Sequence, residues 1–439
     1  MNTNTTSGRK SLVYLGSVWP EPESSAAGVR SRDLIRIFLS RGWKVTVASI
    51  ARENSFSERL QSQGIEIRCI AANDPEFDAW IRTQAPDLVL FDRFILEEQF
   101  GWRVEKEVPG AARVIDMQDF HALRRARERA FDETGRAEFE PDLIARAGSD
   151  LYRELGSIYR SDLTLVISRA ELELLKGFGV PEALLHYFPL ICEAPAGLAP
   201  LEGRAHFAAI GNFRHAPNAD AFRWLHSEIW PRIRTALPRA ELHVYGAYPS
   251  REIVALTDKA RGFHVRGQTE NAVETLARYR VNLAPLRFGA GLKGKIVDGW
   301  RAGTPAVTTP IGAEGFLAAP TGAAGLMDEL ARDGFGGAVV EADAEAIARA
   351  AIELHESDDL WRRAQFNGAR IVASDLNGER HGRLLGERLD GISAGLAQAR
   401  RANLVGAMLR EHQCRSTEYF SRWIETKNRL AQALQTPKA

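Results

Sequence analysis

A loop rich in glycine and lysine lies at residues 286–316 of this 439-residue chain. Gly289 and Gly291 open it, Lys293 and Lys295 follow, and Asp298 comes three residues after the second lysine. Glycines let a backbone approach a ligand closely, and backbone N–H groups beside lysines favour a bound anion. A carboxylate in the first turns of the following helix can accept hydrogen bonds from a ribose diol. These residue types, in this order, indicate a cradle for the phosphates and sugar of a nucleotide.

The residues around this loop add specificity to the pattern. Arg287 precedes the glycines, the run Gly303-Thr304-Pro305 follows the acid, and Gly312 and Gly315 form a second glycine loop. A glycine turn between a strand and a helix is as often structural as functional, but the combined order is much more specific. The segment resembles the donor-binding signature of the group-1 family of retaining glycosyltransferases, which have the GT-B fold.

A second segment carries the same resemblance. The sequence at 211–218 and the stretch at 224–231 are similar to a subgroup of that family, in which an x-x-Pro-Asn loop opens the C-terminal domain. The resemblance is strong over residues 205–350 and weaker before them. Two positions depart from the wider family. Asn212 stands where an arginine is usual, and Ala290 stands where the first of two paired acids is usual.

The bulk composition excludes several classes of protein. Acidic and basic residues balance at 57 each, so no nucleic acid is expected as a partner. Cys69, Cys192 and Cys414 are too widely spaced for a metal cluster or a disulfide framework, which favours a reducing compartment. No apolar run reaches membrane length, and the N-terminus lacks the pattern of a signal peptide. A cytoplasmic protein is therefore expected, with peripheral contact at the inner face of a membrane left open.

Short apolar segments alternate with helical patterns such as Ser31–Arg41, which predicts an α/β fold with buried parallel strands. In the first half, the predicted strands are Leu12–Val18, Lys44–Ile50, Ile65–Ile70, Leu88–Asp92, Arg113–Asp116 and Leu163–Ser168. In the second half, they are His206–Ile210, Glu241–Tyr245, Phe263–Val265, Val281–Pro285, Ala306–Thr309 and Ala338–Val340. Two such halves predict two Rossmann-like domains that face a cleft, with ligands bound beyond the carboxyl ends of the strands.

The stretch at 192–204 is rich in proline, glycine and alanine and is interpreted as the linker between the halves. This divides the chain into an N-terminal, acceptor-side domain at 1–191 and a C-terminal, donor-nucleotide domain at 205–375. Residues 376–439 are predicted to form a helical extension that packs partly on the N-terminal domain. The length of this extension leaves open a contact with a second copy of the chain or with a membrane.

The resemblance implies a role for each residue of the donor loop. Arg287, Lys293 and Lys295, together with Gly289 and Gly291, are expected to bind the diphosphate and stabilise its charge as it departs. Fixed cations and dipoles that are already in place are the most effective means of meeting such charge.

The nucleotide is expected to extend from this loop. Asp298 matches the second of the family's paired acids, which implies that it binds the ribose hydroxyls. The base is expected to rest near Gly246 and near Val265 to Gly267, where backbone groups can meet its edge. Arg214 is a further candidate for the phosphates.

The N-terminal half is expected to complete the site. Asp119 and His121 follow a predicted strand and resemble an Asp-x-x-Asp-x-His-x-x-Arg segment of the family, in which the histidine faces the donor sugar. His121 is expected to stabilise oxocarbenium character, and Asp119 to orient His121 or the acceptor hydroxyl. The alternative is that the pair only caps a helix. Gly28, in the loop after the first strand, is expected to approach the diphosphate when the cleft closes.

The function implied is transfer of a sugar, with retention of configuration, from a nucleotide-diphospho-sugar to a hydroxyl of a carbohydrate, a lipid-linked molecule or another acceptor. No cofactor and no metal are expected, since no Asp-x-Asp motif stands in a convincing loop. Two alternatives stay open, a sugar-nucleotide epimerase of the same fold and an inactive GT-B-like binding protein. The long tail argues against the first, and the retained Lys293, Lys295, Asp298 and His121 argue against the second.

Overall fold

A computed structural model describes residues 9–193, 197–316 and 334–435. The strands of the first half are β1 (Ser11–Gly16), β2 (Lys44–Ser49), β3 (Glu66–Cys69), β4 (Leu88–Asp92), β5 (Ala112–Asp116), β6 (Leu163–Val166) and β7 (Leu185–Tyr187). Those of the second half are β8 (Ala205–Ile210), β9 (Leu242–Tyr245), β10 (Phe263–Gly267), β11 (Tyr279–Ala284), β12 (Ala306–Thr308) and β13 (Gly337–Val339). They form two parallel sheets, in the orders β3-β2-β1-β4-β5-β6-β7 and β10-β9-β8-β11-β12-β13.

Helices connect successive strands and cover both sheets. In the first half they are α1 (Ala26–Ser40), α2 (Ser55–Ser62), α3 (Glu76–Gln84), α4 (Phe94–Glu107), α5 (His121–Thr134), α6 (Leu143–Arg146), α7 (Ser149–Arg160) and α8 (Arg169–Gly177). In the second half they are α9 (Ala216–Trp224), α10 (Trp230–Ala236), α11 (Arg251–Ala255), α12 (Ala272–Leu276), α13 (Gly294–Arg301) and α14 (Pro310–Ala313). The chain ends with α15 (Ala344–Glu356), α16 (Asp358–Ser374), α17 (Gly378–Ala402), α18 (Leu404–Leu409) and α19 (Arg415–Gln435).

The predicted α/β class and GT-B arrangement are confirmed, and each predicted strand is present, with ends that match the prediction or differ from it by one or two residues. The strand β7 was not predicted, because Leu185–Tyr187 is short and contains a histidine between its two apolar residues. The helix α1 begins earlier than its pattern predicts. The hydroxyl of Ser25 accepts a hydrogen bond from the Gly28 amide and so caps the helix at that point.

The last helices lie against the N-terminal sheet. Leu385, Leu389 and Ile392 of α17 belong to the same buried cluster as Leu12 and Trp43. Farther along, α19 is tied to the N-terminal half by a fully buried ion pair between Arg103 and Glu425.

The division of the chain at residues 191, 204 and 375 stays a prediction. Residues 194–196 of the predicted linker, and the chain ends at 1–8 and 436–439, lie outside the described residues. Among the described helices, none is long and apolar enough to cross a membrane.

Candidate active site

A cavity of about 900 Å³ lies where the carboxyl ends of the two sheets face each other. Loops after β1, β4, β5, β6 and β7 form its N-terminal wall, and loops after β8, β9, β10 and β11 form its C-terminal wall. Parallel α/β sheets bind ligands at this edge, so the cavity is the candidate active site. The predicted site residues that line it are Asp119, Arg214, Gly246, Gly289, Lys293, Lys295 and Asp298.

The loop between β11 and α13 brings the two walls into contact. Gly289 and Gly291 have φ angles of 145° and 69°, which glycine adopts without strain. A side chain at position 291 would also meet the Cβ atom of Asp119 at 3.0 Å. The Gly291 amide donates a 2.8 Å hydrogen bond to Glu171. Gly289 lines the cavity. Gly291, which was also predicted to bind phosphate, lies instead where the two walls are in contact.

Lys293 is held by the loop that carries it. Its ammonium group donates hydrogen bonds to the carbonyl oxygens of Ala290 and Gly291, at 3.1 and 2.5 Å. Burial lowers the pKa of Lys293 to about 8, although the nearby carboxylate of Glu314 favours its charge. These contacts fix the shape of the loop as well as placing a cation at its base.

Lys295 faces the cavity with a neutral partner. Its ammonium group donates a 2.5 Å hydrogen bond to Oδ1 of Asn218. Burial, with a smaller effect from the charge of Lys293, lowers the pKa of Lys295 to about 7. A bound anion would restore the full charge of this lysine, because a negative neighbour favours the protonated form.

Asp298 lies on α13 and lines the same cavity. Its carboxylate accepts a 3.3 Å hydrogen bond from Arg301, one turn along the helix. Burial raises the pKa of Asp298 to about 6 even though Arg301 opposes the shift. The side chain of Asp298 keeps 28% of its surface exposed, and hydrogen bonds from a ribose diol would stabilise its ionised form.

Arg287 lies elsewhere than predicted. Its guanidinium forms a bidentate ion pair with the carboxylate of Asp220, with N–O distances of 2.9 and 2.6 Å. Arg287 does not line the cavity. The same group lies over the rings of Phe131 and Trp224, 4.5 and 4.7 Å from their centroids. Asp220 is 67 residues away in sequence, so no local pattern reveals the pair. Arg287 is therefore engaged in an ion pair and in packing, and the phosphate contact expected of it stays a prediction.

Arg214 lines the cavity and is held at its mouth. Its guanidinium lies 4.1 Å from the centroid of the Tyr248 ring. The hydroxyl of Tyr248 donates a 3.0 Å hydrogen bond to Glu21 of the N-terminal wall. Arg214 thus lines the cavity as expected of a phosphate-binding residue, and its contact with a phosphate stays a prediction.

The residues predicted to meet the base are only partly in the cavity wall. Gly246 lines it, and a side chain there would lie 2.0 Å from the carbonyl oxygen of Gly211. Val265 and Gly267 do not line it, because the wall is formed by residues 268–274, which follow β10. The contact of the base with Val265 and Gly267 stays a prediction.

Gly28 is also outside the cavity wall, which residues 22–27 form at this point. It lies in the first turn of α1, and a side chain there would be 2.2 Å from the carbonyl oxygen of Glu21. Its amide already donates to Ser25. Gly28 therefore permits the loop to pack on the helix, and its approach to the diphosphate on closure of the cleft stays a prediction.

Asp119 lies between two basic side chains where β5 leads into α5. Its Oδ1 is 3.2 Å from Nδ1 of His121, and its Oδ2 accepts a 2.7 Å hydrogen bond from Arg124. Burial alone would raise the pKa of Asp119, but the charges of His121 and Arg124 hold it well below its usual range. Burial likewise disfavours a charged His121, yet Asp119 and Glu154 together raise the pKa of His121. The network is an ionised carboxylate held between an imidazole and a guanidinium.

Asp119 lines the cavity, whereas His121, predicted to face the donor sugar, does not. The ring of His121 packs edge-on against Phe94, with centroids 5.4 Å apart, so it lies behind Asp119. The start of α5 is capped by neither residue of the predicted pair. Instead, Glu154 of α7 accepts hydrogen bonds from the amides of His121 and Ala122, at 3.0 and 2.7 Å.

Arg127 and Glu171 make two further contacts between the walls that the sequence did not predict. Arg127 of α5 donates to both carboxylate oxygens of Glu314, at 2.7 and 2.8 Å, and to the carbonyl of Gly289 at 2.8 Å. Glu171 accepts hydrogen bonds from the amides of Phe120 and Gly291, at 2.9 and 2.8 Å, and burial raises its pKa to about 7. These contacts hold the walls together beside the cavity.

The sequence carried little signal for these residues. Arg127 stands in the basic run Arg124–Arg129, which has the composition of a solvated helix face. Arg93 and His215, which also line the cavity, follow the predicted strands β4 and β8, so their position at strand ends was the available signal. Burial lowers the pKa of His215 to about 4, so this imidazole is neutral near pH 7.

Comparisons with known proteins agree with this geometry. Residues 204–357 match the protein-family model described as "Glycosyl transferases group 1". A comparison with curated proteins gives no match.

Three solved structures have the same arrangement of domains. Sucrose-phosphate synthase from Thermosynechococcus elongatus aligns with a TM-score of 0.65 at 15% identity, over 88% of this chain and 100% of that chain. HepE of Anabaena, in complex with UDP and glucose, aligns at 0.64 and 12%, over 87% and 100%. A TarM variant from S. aureus, in complex with fondaparinux, α-GlcNAc-glycerol and UDP, aligns at 0.63 and 8%, over 87% and 99%. At these identities the likeness concerns the fold.

Proposed function

This protein is a glycosyltransferase of the group 1 type with the GT-B fold, and we propose that it transfers a sugar from a nucleotide-diphospho-sugar to an acceptor hydroxyl with retention of configuration. The observation that carries the proposal is the content of one cavity. Lys295, with a neutral partner and a lowered pKa, and Asp298 lie on one wall, and the ionised Asp119 lies on the other.

The donor is assigned to the C-terminal wall. Its diphosphate would contact Lys295 and Arg214 and the backbone of Gly289, and its ribose would contact Asp298. The base would lie along Gly246 and residues 268–274. Because Lys295 has a pKa of about 7, binding of a diphosphate would draw a proton onto it and create charge where the leaving group needs it.

The acceptor is assigned to the N-terminal wall, next to Asp119. In a front-face substitution, the bond between the sugar's anomeric carbon and the phosphate oxygen breaks while the acceptor oxygen bonds to the same face. The acceptor proton passes to the departing phosphate oxygen. The carboxylate of Asp119 would orient the acceptor and favour positive charge on the sugar, while His121 and Arg124 position that carboxylate.

We propose that the transfer needs no metal ion in the cleft. The charge of the diphosphate would be met by side chains that the cavity already presents, namely Lys295, Lys293 and Arg214. The test is transfer activity in a chelating buffer, compared with activity after addition of Mg²⁺ or Mn²⁺. Activity that appears only with added ion would contradict this part of the proposal.

The acceptor class and any contact through the C-terminal helices are proposals of the same kind. Tyr419, Phe420 and Trp423 of α19 and Leu404 and Met408 of α18 are exposed. We propose that this apolar face contacts either a membrane surface, which would suit a lipid-linked acceptor, or a second copy of the chain. Sedimentation with anionic vesicles and determination of the mass in solution distinguish the two.

The first experiment measures sugar release and transfer with and without an acceptor extract. UDP-sugars are the first donors to test, because HepE and TarM were solved with UDP. Transfer to an acceptor supports the proposal. Conversion of the donor sugar without an acceptor would indicate an epimerase, and binding without any turnover would indicate an inactive binding protein.

A second experiment tests the ribose contact. Asp298→Ala should weaken binding of the nucleoside diphosphate, because it removes hydrogen bonds worth roughly 1.5–3 kcal/mol to a charged group. Binding of inorganic diphosphate should hardly change. Asp298→Glu, which keeps the carboxylate, should retain more affinity. Equal losses for both ligands would remove Asp298 from the ribose site.

A further inference from the structure

We propose that the C-terminal domain binds a divalent transition-metal ion through Glu241, His243 and His264, at the edge of the sheet away from the cleft. Glu241 immediately precedes β9, and His243 of β9 pairs in register with His264 of β10, the edge strand. The atoms that these side chains can offer to an ion all lie within 4.8 Å of one another. They stand at the amino ends of the strands, whereas the candidate active site lies at the carboxyl ends.

The contacts around His243 show which ring nitrogen can bind an ion. Its Nε2 lies 3.1 Å from the guanidinium of Arg266, which can only donate, and 2.9 Å from the carboxylate of Glu241, which can only accept, so no single tautomer satisfies both contacts. In the tautomer that binds an ion through Nε2, the ring proton lies on Nδ1, which is 2.5 Å from the hydroxyl of Tyr279. That hydroxyl is 2.6 Å from the hydroxyl of Tyr245. A hydrogen bond from the far ring nitrogen is how proteins orient a metal-binding imidazole.

Two more acceptors are directed at the same point. Oε2 of Glu241 lies 2.9 Å from Nε2 of His243 and 3.8 Å from Nε2 of His264. When the proton of His243 lies on Nδ1, this carboxylate oxygen and Nε2 have no proton to share. The Nε2 of His264 is itself buried without a hydrogen-bond partner. Lone pairs that face one another in this way are stabilised by a cation placed between them, and an unpaired buried acceptor is otherwise costly.

The ligand set favours zinc. Two imidazole nitrogens and a carboxylate oxygen suit Zn²⁺, whereas Mg²⁺ and Ca²⁺ prefer oxygen alone. Bonds of about 2.0–2.1 Å place neighbouring ligand atoms of a tetrahedral site roughly 3.3 Å apart. The distances of 2.9 and 3.8 Å fall on either side of that value, so small side-chain rotations suffice. The side chain of Glu241 is 39% exposed, which gives an ion access from solvent and leaves a position for water.

Substitution of Arg266 should change the metal affinity in the opposite direction to substitution of a ligand. Its guanidinium contacts the nitrogen that the ion would bind, so it competes with the ion for that position. Removal of this guanidinium should tighten metal binding, whereas removal of a ligand should abolish it. If these side chains form only a hydrogen-bond network with Arg266 and bind no ion, neither substitution should change the affinity for a metal ion.

This site lies apart from the cleft, for which no metal was expected. The sequence did not reveal it because Glu241 and His243 are separated from His264 by α11 and the turn before β10. The pairing of β9 with β10 is what brings them together. The proposal therefore stands or fails independently of the transfer reaction.

The experiment titrates the tag-free full chain, stripped with a chelator, with Zn²⁺ in competition with a chromophoric chelator. Co²⁺ is added in parallel, since its visible spectrum reports coordination by nitrogen and oxygen. One ion per chain is expected. His264→Gln should lower Zn²⁺ affinity by more than about 100-fold, because groups that merely orient a ligand are already worth about 10–100-fold. Arg266→Ala should raise the affinity.

His412→Gln is the matched control, since it removes an exposed imidazole outside the cluster and should leave affinity unchanged. His264→Gln is the first variant because its Nε2 makes no hydrogen bond that the fold would lose. Glu241→Gln, at a more exposed position, is the second. Failure of both the wild type and Arg266→Ala to bind Zn²⁺ overturns the proposal. So does stoichiometric binding that survives both ligand substitutions, since the ion would then lie elsewhere.

Discussion

On the N-terminal wall of the cleft, Asp119 is paired with both His121 and Arg124, whereas on the C-terminal wall Lys295 is bonded to the neutral Asn218. The first wall has its charge compensated before any ligand arrives. The second wall holds Lys295, whose pKa is lowered by burial. Among the described residues, its hydrogen-bond partner is the neutral amide of Asn218 and not a carboxylate. A ligand that brings negative charge therefore gains more from the second wall.

This difference separates two roles that the sequence motifs do not separate. Both motifs combine acidic and basic residues at strand ends, so both suggest charge that acts on a substrate. The structure divides them into a wall that supplies charge, through Lys295, and a wall that holds a carboxylate in a fixed position. Substitutions on the two walls should thus affect binding and turnover differently.

Asp119→Asn should produce the largest effect. It keeps the shape of the side chain but removes the charge that the proposed mechanism places beside the sugar, so kcat should fall by about two orders of magnitude, the usual scale for one preorganised group. The dissociation constant of the nucleoside diphosphate should hardly change. Steady-state kinetics and calorimetry on one preparation measure both quantities.

His121→Ala is the companion to that substitution. It leaves Asp119 bonded to Arg124, so kcat should fall by only about tenfold. A loss as large as that of Asp119→Asn would return His121 to direct contact with the substrate. A variant that melts earlier but keeps full specific activity would make it a structural residue only.

Lys295→Ala should have the next largest effect, on binding. Charge-assisted contacts are worth roughly 1.5–3 kcal/mol, so affinity for a nucleoside diphosphate should fall about tenfold or more. Lys293→Ala should weaken binding less and lower the melting temperature more, because Lys293 bonds the carbonyls of its own loop. Lys259→Ala, at an exposed position of the same domain, is the control. Unchanged binding in the variant lacking both loop lysines would contradict the donor assignment.

The pH dependence of binding tests the same lysine more finely. With a pKa of about 7 in the free protein, Lys295 loses its proton as pH rises above 7. A bound diphosphate favours the protonated form, so affinity should fall as pH rises from 7 to 9, by at most tenfold per pH unit. Calorimetry in two buffers of different ionisation enthalpy should detect proton uptake near pH 8. The slope and the uptake should both disappear in Lys295→Ala.

The sequence predicted the parts of the molecule that depend on local pattern. Buried parallel strands leave continuous apolar runs, so the positions of the strands followed from those runs, and among the described strands only the short one at Leu185–Tyr187 was missed. Lys295 and Asp298 line the cavity because a strand end and a helix start fix their position within a few residues. Contacts between distant segments were not predictable. Glu154 caps α5 from another helix, and Asp220 withdraws Arg287 from the cavity.

Substitution of Arg287 should have the smallest effect on nucleotide binding. Its ion pair with Asp220 is also a contact that the local sequence motif does not reveal. The loop motif places it beside the two lysines, yet its guanidinium is held by Asp220 and by the rings of Phe131 and Trp224. Arg287→Met should therefore leave nucleoside diphosphate affinity unchanged within about twofold. It should lower the free energy of unfolding by about 1–3 kcal/mol, since it leaves Asp220 half-buried without its partner.

The pair can be tested as a unit. Adding Asp220→Asn to Arg287→Met should recover part of the lost stability, because it removes the unpaired charge that the first substitution creates. Denaturant unfolding measures the stability of all three variants, and calorimetry measures their affinity. If Arg287→Met weakens nucleotide binding tenfold while stability is retained, then Arg287 leaves Asp220 and enters the cavity when the ligand binds. In that case the local motif, and not the ion pair of the free protein, identifies its role.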